Sequence, residues 1–133
     1  MKETTKNWLP YIKADLTAAD ALINSSGKNR WTNTLALWHC QQAIEKTFKA
    51  IMIEQGKEIL KIHDLARLKE LSGIDLEDDD LKFILTLNNY YLKSRYPDMI
   101  YSLLTNPDNK ATIKIFKQTI KLHTWLIKKL KNL

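Results

Sequence analysis

Apolar residues recur along this chain at steps of three and four, the period of a helix with one buried face. The longest such stretch is Trp31–Gln55, which contains no Gly or Pro. Within it Leu37, Cys40, Ile44, Phe48 and Ile51 form one apolar stripe. Trp38, Gln42, Glu45 and Lys49 step 4, 3, 4 along a different face. Glu45 and Lys49 are an i,i+4 pair with the acid N-terminal to the base, the favourable order. The pattern therefore predicts a central helix with one face to bury and one polar face, and the other helices as its partners.

Residues 1–5 read as a frayed lead. A first helix is expected over Asn7–Asn24, with Leu9, Ile12, Leu16, Ala19 and Ile23 as its seam and Pro10 in the first turn. Gly27 reads as its C-cap, and the central helix starts between Asn29 and Thr32. Gly56 ends that helix. A short helix over His63–Leu71 closes at Gly73. The acids Asp75 and Glu77 to Asp80 lack calcium-loop spacing and suit the N-terminus of a fourth helix, Asp78–Lys93. Leu81, Ile84, Leu87 and Tyr91 would face inward there, with Asn88 near them. Pro97 forces Tyr96 out of helical geometry, which puts Arg95 at or just before the helix end. A last helix is expected over Pro107–Lys131, its inner face set by Phe116, Ile120, His123, Ile127 and Leu130 and broadened by Ile115, Leu122 and Leu126. Strand alternation is absent. The fold class predicted is all-α, an antiparallel up-and-down bundle of four main helices plus a short extra one, in a single domain over 1–133.

Composition sharpens this picture in three places. No apolar run approaches the ~20 residues of a membrane span, and the first residues lack a signal peptide's apolar core, so the expected location is cytoplasmic. The single cysteine, Cys40, sits on the apolar stripe and reads as a small buried hydrophobe. The net charge of +6 belongs to the last helix, because residues 110–133 carry seven Lys and no acid. Lys110, Lys114, Lys117, Lys121 and Lys128 share one face of that helix. They suit a phosphate-tracking ridge, but a solvated outer face explains them more simply, and no aromatic residue is expected among them.

The remaining polar residues build no familiar site. Three glycines, all at element ends, cannot make a phosphate loop, and no His, Asp or Glu spacing matches a metal motif. Neither metal nor cofactor is expected. His39 and Cys40 are adjacent and so point about 100° apart on a helix. His123 reads as a core or interface residue and His63 as a capping or packing one. Arg95 is the most suggestive side chain. Beside Tyr96 and with Tyr101 further on, its planar fork suits a phosphate or carboxylate, or an internal pair with Asp98 or the acid cluster.

Taken together, Gln41-Gln42-Ala43-Ile44-Glu45-Lys46-x-x-Lys49-Ala50, then Gly56, His63-Asp64-Leu65 and Arg95-Tyr96-Pro97-Asp98, resemble the HEPN domain over nearly the whole chain. The resemblance implies a helical bundle, usually a homodimer, often encoded beside a minimal nucleotidyltransferase partner in toxin–antitoxin fashion. Active HEPN ribonucleases carry Arg-x(4–6)-His and cut RNA without metal at the dimer cleft. Here Arg95 takes the arginine position, and the histidine window holds Ile100, Tyr101 and Ser102. Whether the chain is an enzyme is thus left open. The expected function is a non-canonical nucleotide- or RNA-binding, or partner-binding, module of a nucleotidyltransferase toxin–antitoxin system. Its candidate residues are Arg95 and Tyr101 for any chemistry, and Tyr96, Asp98, Gln42, Glu45 and Lys49 for binding. The alternatives are a metal-independent endoribonuclease using Arg95 with Tyr101 or a displaced histidine, and a purely structural helical interaction module in which Trp38, Gln42, Glu45 and Lys49 form a polar seam.

Overall fold

The structure is a computed structural model that describes residues 1–59, 61–95 and 106–133, the side chains of 92–95 excepted. Among these residues the chain is all-helical: α1 (Glu3–Lys6), α2 (Leu9–Ile23), α3 (Arg30–Glu54), α4 (Leu65–Ser72), α5 (Asp78–Arg95) and α6 (Asn109–Lys131). The four long helices make the antiparallel up-and-down bundle, and α1 and α4 are short additions.

Local chemistry sets the ends. Asn29 caps α3, its Oδ1 accepting from the amides of Trp31 and Thr32 at 3.0 Å each. At the other end Gly56 takes φ +76°, and the amides of Gly56 and Lys57 close on the carbonyls of Ile53 and Met52. That double closure needs a left-handed residue, which glycine supplies without strain. Asp64 caps α4 and Asp108 caps α6. Asp78, Asp79 and Asp80 fill the first turn of α5 and complement its dipole.

The core sits around α3, which packs against every other helix. Leu37, Cys40, Ile44, Phe48 and Ile51 are fully buried, as the stripe predicted. Burial pushes the Cys40 thiol up to about 12, so it stays protonated and inert. The α2 and α3 helices run antiparallel, since Thr5 meets Glu54 while Asp15 meets His39 and Lys46. The α3 and α6 helices run parallel. Asn33 reaches Asn109, Thr47 reaches His123, and both contacts span 76 residues.

Several expectations need correction. The first residues are not a frayed lead, because α1 is tied down by a buried Thr5 whose hydroxyl donates to Glu54 Oε2 at 2.6 Å. That bond, then the Lys2 amide, hold the Glu54 carboxyl below the usual range. Gly27 is not the C-cap of α2; Asn24 is, and its side chain bonds back to the Asp20 carbonyl. The inner face of α6 is turned from the one expected. Thr112, Thr119, Leu122, Leu126 and Leu130 are buried, while Ile120 is exposed. Small buried threonines let α6 approach α3 closely, their hydroxyls bonded to carbonyls one turn back. Finally, Trp125 falls among the lysines of α6, four residues after Lys121 and three before Lys128.

His123 is half-buried against Thr47. The Thr47 hydroxyl donates to the Ala43 carbonyl at 2.7 Å, so it accepts from His123 Nδ1–H at 3.3 Å. Burial holds the His123 pKa below its ordinary 6.5. The unfolded chain therefore takes up this proton more readily than the folded one. The stability that the site contributes is present above about pH 6.5 and is lost as pH falls below it toward the depressed folded value. A His123→Gln variant is expected to lose less stability than the wild type between pH 7 and pH 5 in urea titrations. An identical loss in both would show that His123 contributes nothing to the pH dependence.

Candidate functional site

The polar face of α3 is not a solvated one. Glu45 and Lys49 are only 4% and 7% exposed, with Lys49 Nζ 3.1 Å from Glu45 Oε2. A buried ammonium needs such a partner, since isolated charge is costly away from water. The other Glu45 oxygen is equally engaged. It lies 3.0 Å from His63 Nδ1 and accepts from Gln41 Nε2 at 3.3 Å. Gln41 also donates to the His63 carbonyl at 3.0 Å, and Gln42 donates to Gln41 Oε1 at 2.7 Å. The carboxylate and the glutamine thus fix both the backbone and the ring of His63. This joins three residues expected from sequence to bind, Gln42, Glu45 and Lys49, to His63, which was expected only to cap or pack.

His63 precedes the Asp64 cap of α4, and its ring stacks on Tyr91 of α5 at 4.5 Å and 16°. Asn88, one turn before Tyr91, locks the same corner. It accepts from the Leu65 amide and donates to Asp64 Oδ1, both at 2.8 Å. A groove of about 350 Å³ opens here, lined by His63, Asp64, Asn88, Asn89 and Tyr91. With Nδ1 held by Glu45, the other ring nitrogen is Nε2, and the His63 side chain is 42% exposed. Position 95 lies four residues beyond Tyr91 and seven beyond Asn88, on the same face of α5. Arg95 ends that helix, while Tyr96, Asp98 and Tyr101 lie outside the described residues.

A second polar cluster sits between α2 and α3. The buried carboxylate of Asp15 lies 2.9 Å from His39 Nδ1 and accepts from Lys46 Nζ at 2.6 Å. The Trp38 ring meets His39 edge-on at 4.8 Å. Lys46 also lines an apolar hollow of about 310 Å³ with Asn7, Trp8 and Tyr11. One signal for this cluster was present in the chain. Asp15 falls three residues after Ile12 and four before Ala19, an acid on an apolar seam. The contact between His63 and Glu45 had no such signal, because it joins the middle of α3 to the connection that follows it, 18 residues on. Among the described residues no three His, Cys, Asp or Glu side chains gather where a metal could bind.

The HEPN domain model matches residues 5–130 of this chain. The fold is also similar to the crystal structure of an archaeal HEPN homologue, with a TM-score of 0.72 and 23% identity over 98% of this chain and 99% of that one. No curated protein matches the sequence significantly.

Removing one member of the buried pair strands the other. Glu45→Gln is expected to cost about 3–5 kcal/mol in urea unfolding, because Lys49 is left buried without its counter-charge. Joint replacement by Glu45→Leu and Lys49→Met should cost far less. If the double variant is as unstable as the single one, the unpaired charge is not the cause.

Proposed function

The chain belongs to the HEPN domain family, and we propose that it is a nucleotide- or RNA-binding member of it, using the groove between α4 and α5. The observation that carries this reading is the stacked pair of His63 and Tyr91 beside the amides of Asn88 and Asn89. Flat rings receive a base, and amide side chains both donate to and accept from base edges. Position 95, one turn beyond Tyr91 on α5, carries an arginine, whose charge suits a phosphate. Family membership also supports pairing with a second copy and with a minimal nucleotidyltransferase partner in a toxin–antitoxin system. Trp31 and Leu35, one turn apart on α3 and 62% and 41% exposed, offer apolar surface for such contacts.

Titration calorimetry with ribonucleoside mono- and triphosphates and a short single-stranded RNA tests the groove. Tyr91→Leu is expected to weaken binding roughly ten- to a hundredfold, since one base stack is worth about 1–3 kcal/mol. Asn89→Ala, at an exposed position, should weaken it less. Absence of heat from every one of these probes would end the reading.

A second reading, metal-independent RNA cleavage, is favoured by one arrangement. His63 is held through Nδ1 by a buried carboxylate, the geometry that prepares Nε2 as a general base. In that step Nε2 takes the proton of a ribose 2′-hydroxyl, and the oxygen attacks the adjacent phosphorus. The bond to the 5′-oxygen breaks, that oxygen takes a proton from water, and a 2′,3′-cyclic phosphate remains. On this reading His63 replaces the histidine missing from positions 100–102. In EDTA, His63→Ala is expected to slow cleavage about 10²–10⁴-fold and Arg95→Ala to abolish it. Cleavage that survives His63→Ala removes this mechanism.

A further inference from the structure

The outer face of α6 is as singular as the groove, and it lies on a different helix. Lys110, Lys114, Lys117, Lys121 and Lys128 are all exposed, and Trp125, 36% exposed, fills the seven-residue gap between the last two. Lys129 Nζ sits over the Trp125 ring, 5.0 Å from its centre. Among the described residues none of the seven lysines of 110–133 forms an ion pair with a carboxylate. Asp79, on the α5 flank, shares a shallow groove with Ile115 and Gln118 and marks the edge of the basic surface.

Stability of the fold gives no reason for the first four lysines of this row. Lys110 and Lys114, Lys114 and Lys117, and Lys117 and Lys121 are like charges at helix-neighbour spacing, which repel. Lys110 stands in the first turn, at the positive end of the helix dipole. Only Lys128, Lys129 and Lys131 complement that dipole at the other end. Exposed as they are, the first four fill no cavity in the core. A ligand of the row would supply its counter-charge from outside.

The shape of that counter-charge follows from the row. From Lys110 to Lys128 it runs about 27 Å at 1.5 Å per residue, so it suits an extended polyanion. A lone exposed ring within a cationic track is the arrangement that binds single strands, where phosphates follow the cations and a base stacks on the aromatic. A lipid surface fits less well. The apolar side of α6, with Leu122, Leu126 and Leu130, is already buried in the bundle and is not free to insert.

We propose that the outer face of α6 is a binding surface for single-stranded nucleic acid, with the lysine row following the phosphates and Trp125 stacking a base. The surface stands independently of the groove between α4 and α5, and the two are separable by experiment. Fluorescence anisotropy of a labelled single strand of about 20 nucleotides, over a series of salt concentrations, reads both contributions. Replacing Lys114, Lys117 and Lys121 together by Gln should make the slope of log K against log salt shallower by about two, since each phosphate contact contributes about 0.7 for a single strand. Trp125→Leu should weaken single-strand binding about tenfold at every salt concentration and leave the slope unchanged. Trp125→Tyr, which keeps a ring, should restore most of the affinity, and a duplex of equal length should not respond to position 125. Thermal melts of each variant establish that α6 is still folded. A triple lysine variant with unchanged slope overturns the proposal, as does a Trp125→Leu variant with unchanged affinity. Binding of the wild type to phosphatidylglycerol vesicles with none to the labelled strand also overturns it. Tyr91→Leu, which tests the groove, is expected to leave the lysine-dependent slope intact.

Discussion

Glu45 is the residue on which the interior depends. It is one carboxylate with two oxygens, and each oxygen holds a different element in place. Oε2 neutralises Lys49 within α3, and Oε1 meets His63 at the start of α4. Glu45 and Lys49 sit where the central helix is buried, so the charge they carry must be matched locally. Gln41 completes the match by binding both Glu45 and the His63 backbone. The connection from α3 to α4 is thereby anchored by polar contacts rather than by apolar packing. Only then can Tyr91 find a ring to stack on and Asn88 reach the α4 cap. The groove is a consequence of that chain of contacts.

The helices themselves were legible because their signals are local. The 3.6-residue period, the glycines at 56 and 73 and the acids at the start of α5 all act within a turn or two. The errors have the same origin. Thr5 looked like part of a loose end because its partner, Glu54, is 49 residues away. The inner face of α6 was misjudged because its buried residues include Thr112 and Thr119, which no apolar periodicity reveals. Trp125 was overlooked among the lysines because a seven-residue step hides the position that divides it.

The site was legible only by halves. Gln42, Glu45 and Lys49 were visible as one face of a helix, but not as a buried one. Amphipathic reasoning treats a polar face as wet, but at Glu45 and Lys49 this face of the central helix is buried. His63 and Tyr91 were each visible as residues facing inward or capping. Their stacking depends on how α4 and α5 cross, which is tertiary information. The family pattern drew attention to Arg95 and the positions that follow it. The described structure puts the organised polar groups one and two turns earlier, at Tyr91 and Asn88, and across from them at His63.

The distribution of charge follows one rule across the molecule. Where charge is buried, at Glu45 with Lys49 and at Asp15 with Lys46, acid and base come together within 3.1 Å. Residues 1–109 as a whole balance to −1. On the exposed side of α6 no such matching occurs: among the described residues none of its seven lysines pairs with a carboxylate. Water tolerates unmatched lysines there, so folding does not forbid them, but neither does folding explain why no acid interrupts them over 24 residues. A helix selected only for solubility would do as well with mixed signs, which also relieve its own repulsion. The groove and the lysine row therefore differ in kind. The first is a by-product of satisfying charge inside the bundle, and the second is a charge that the bundle leaves for something else to satisfy.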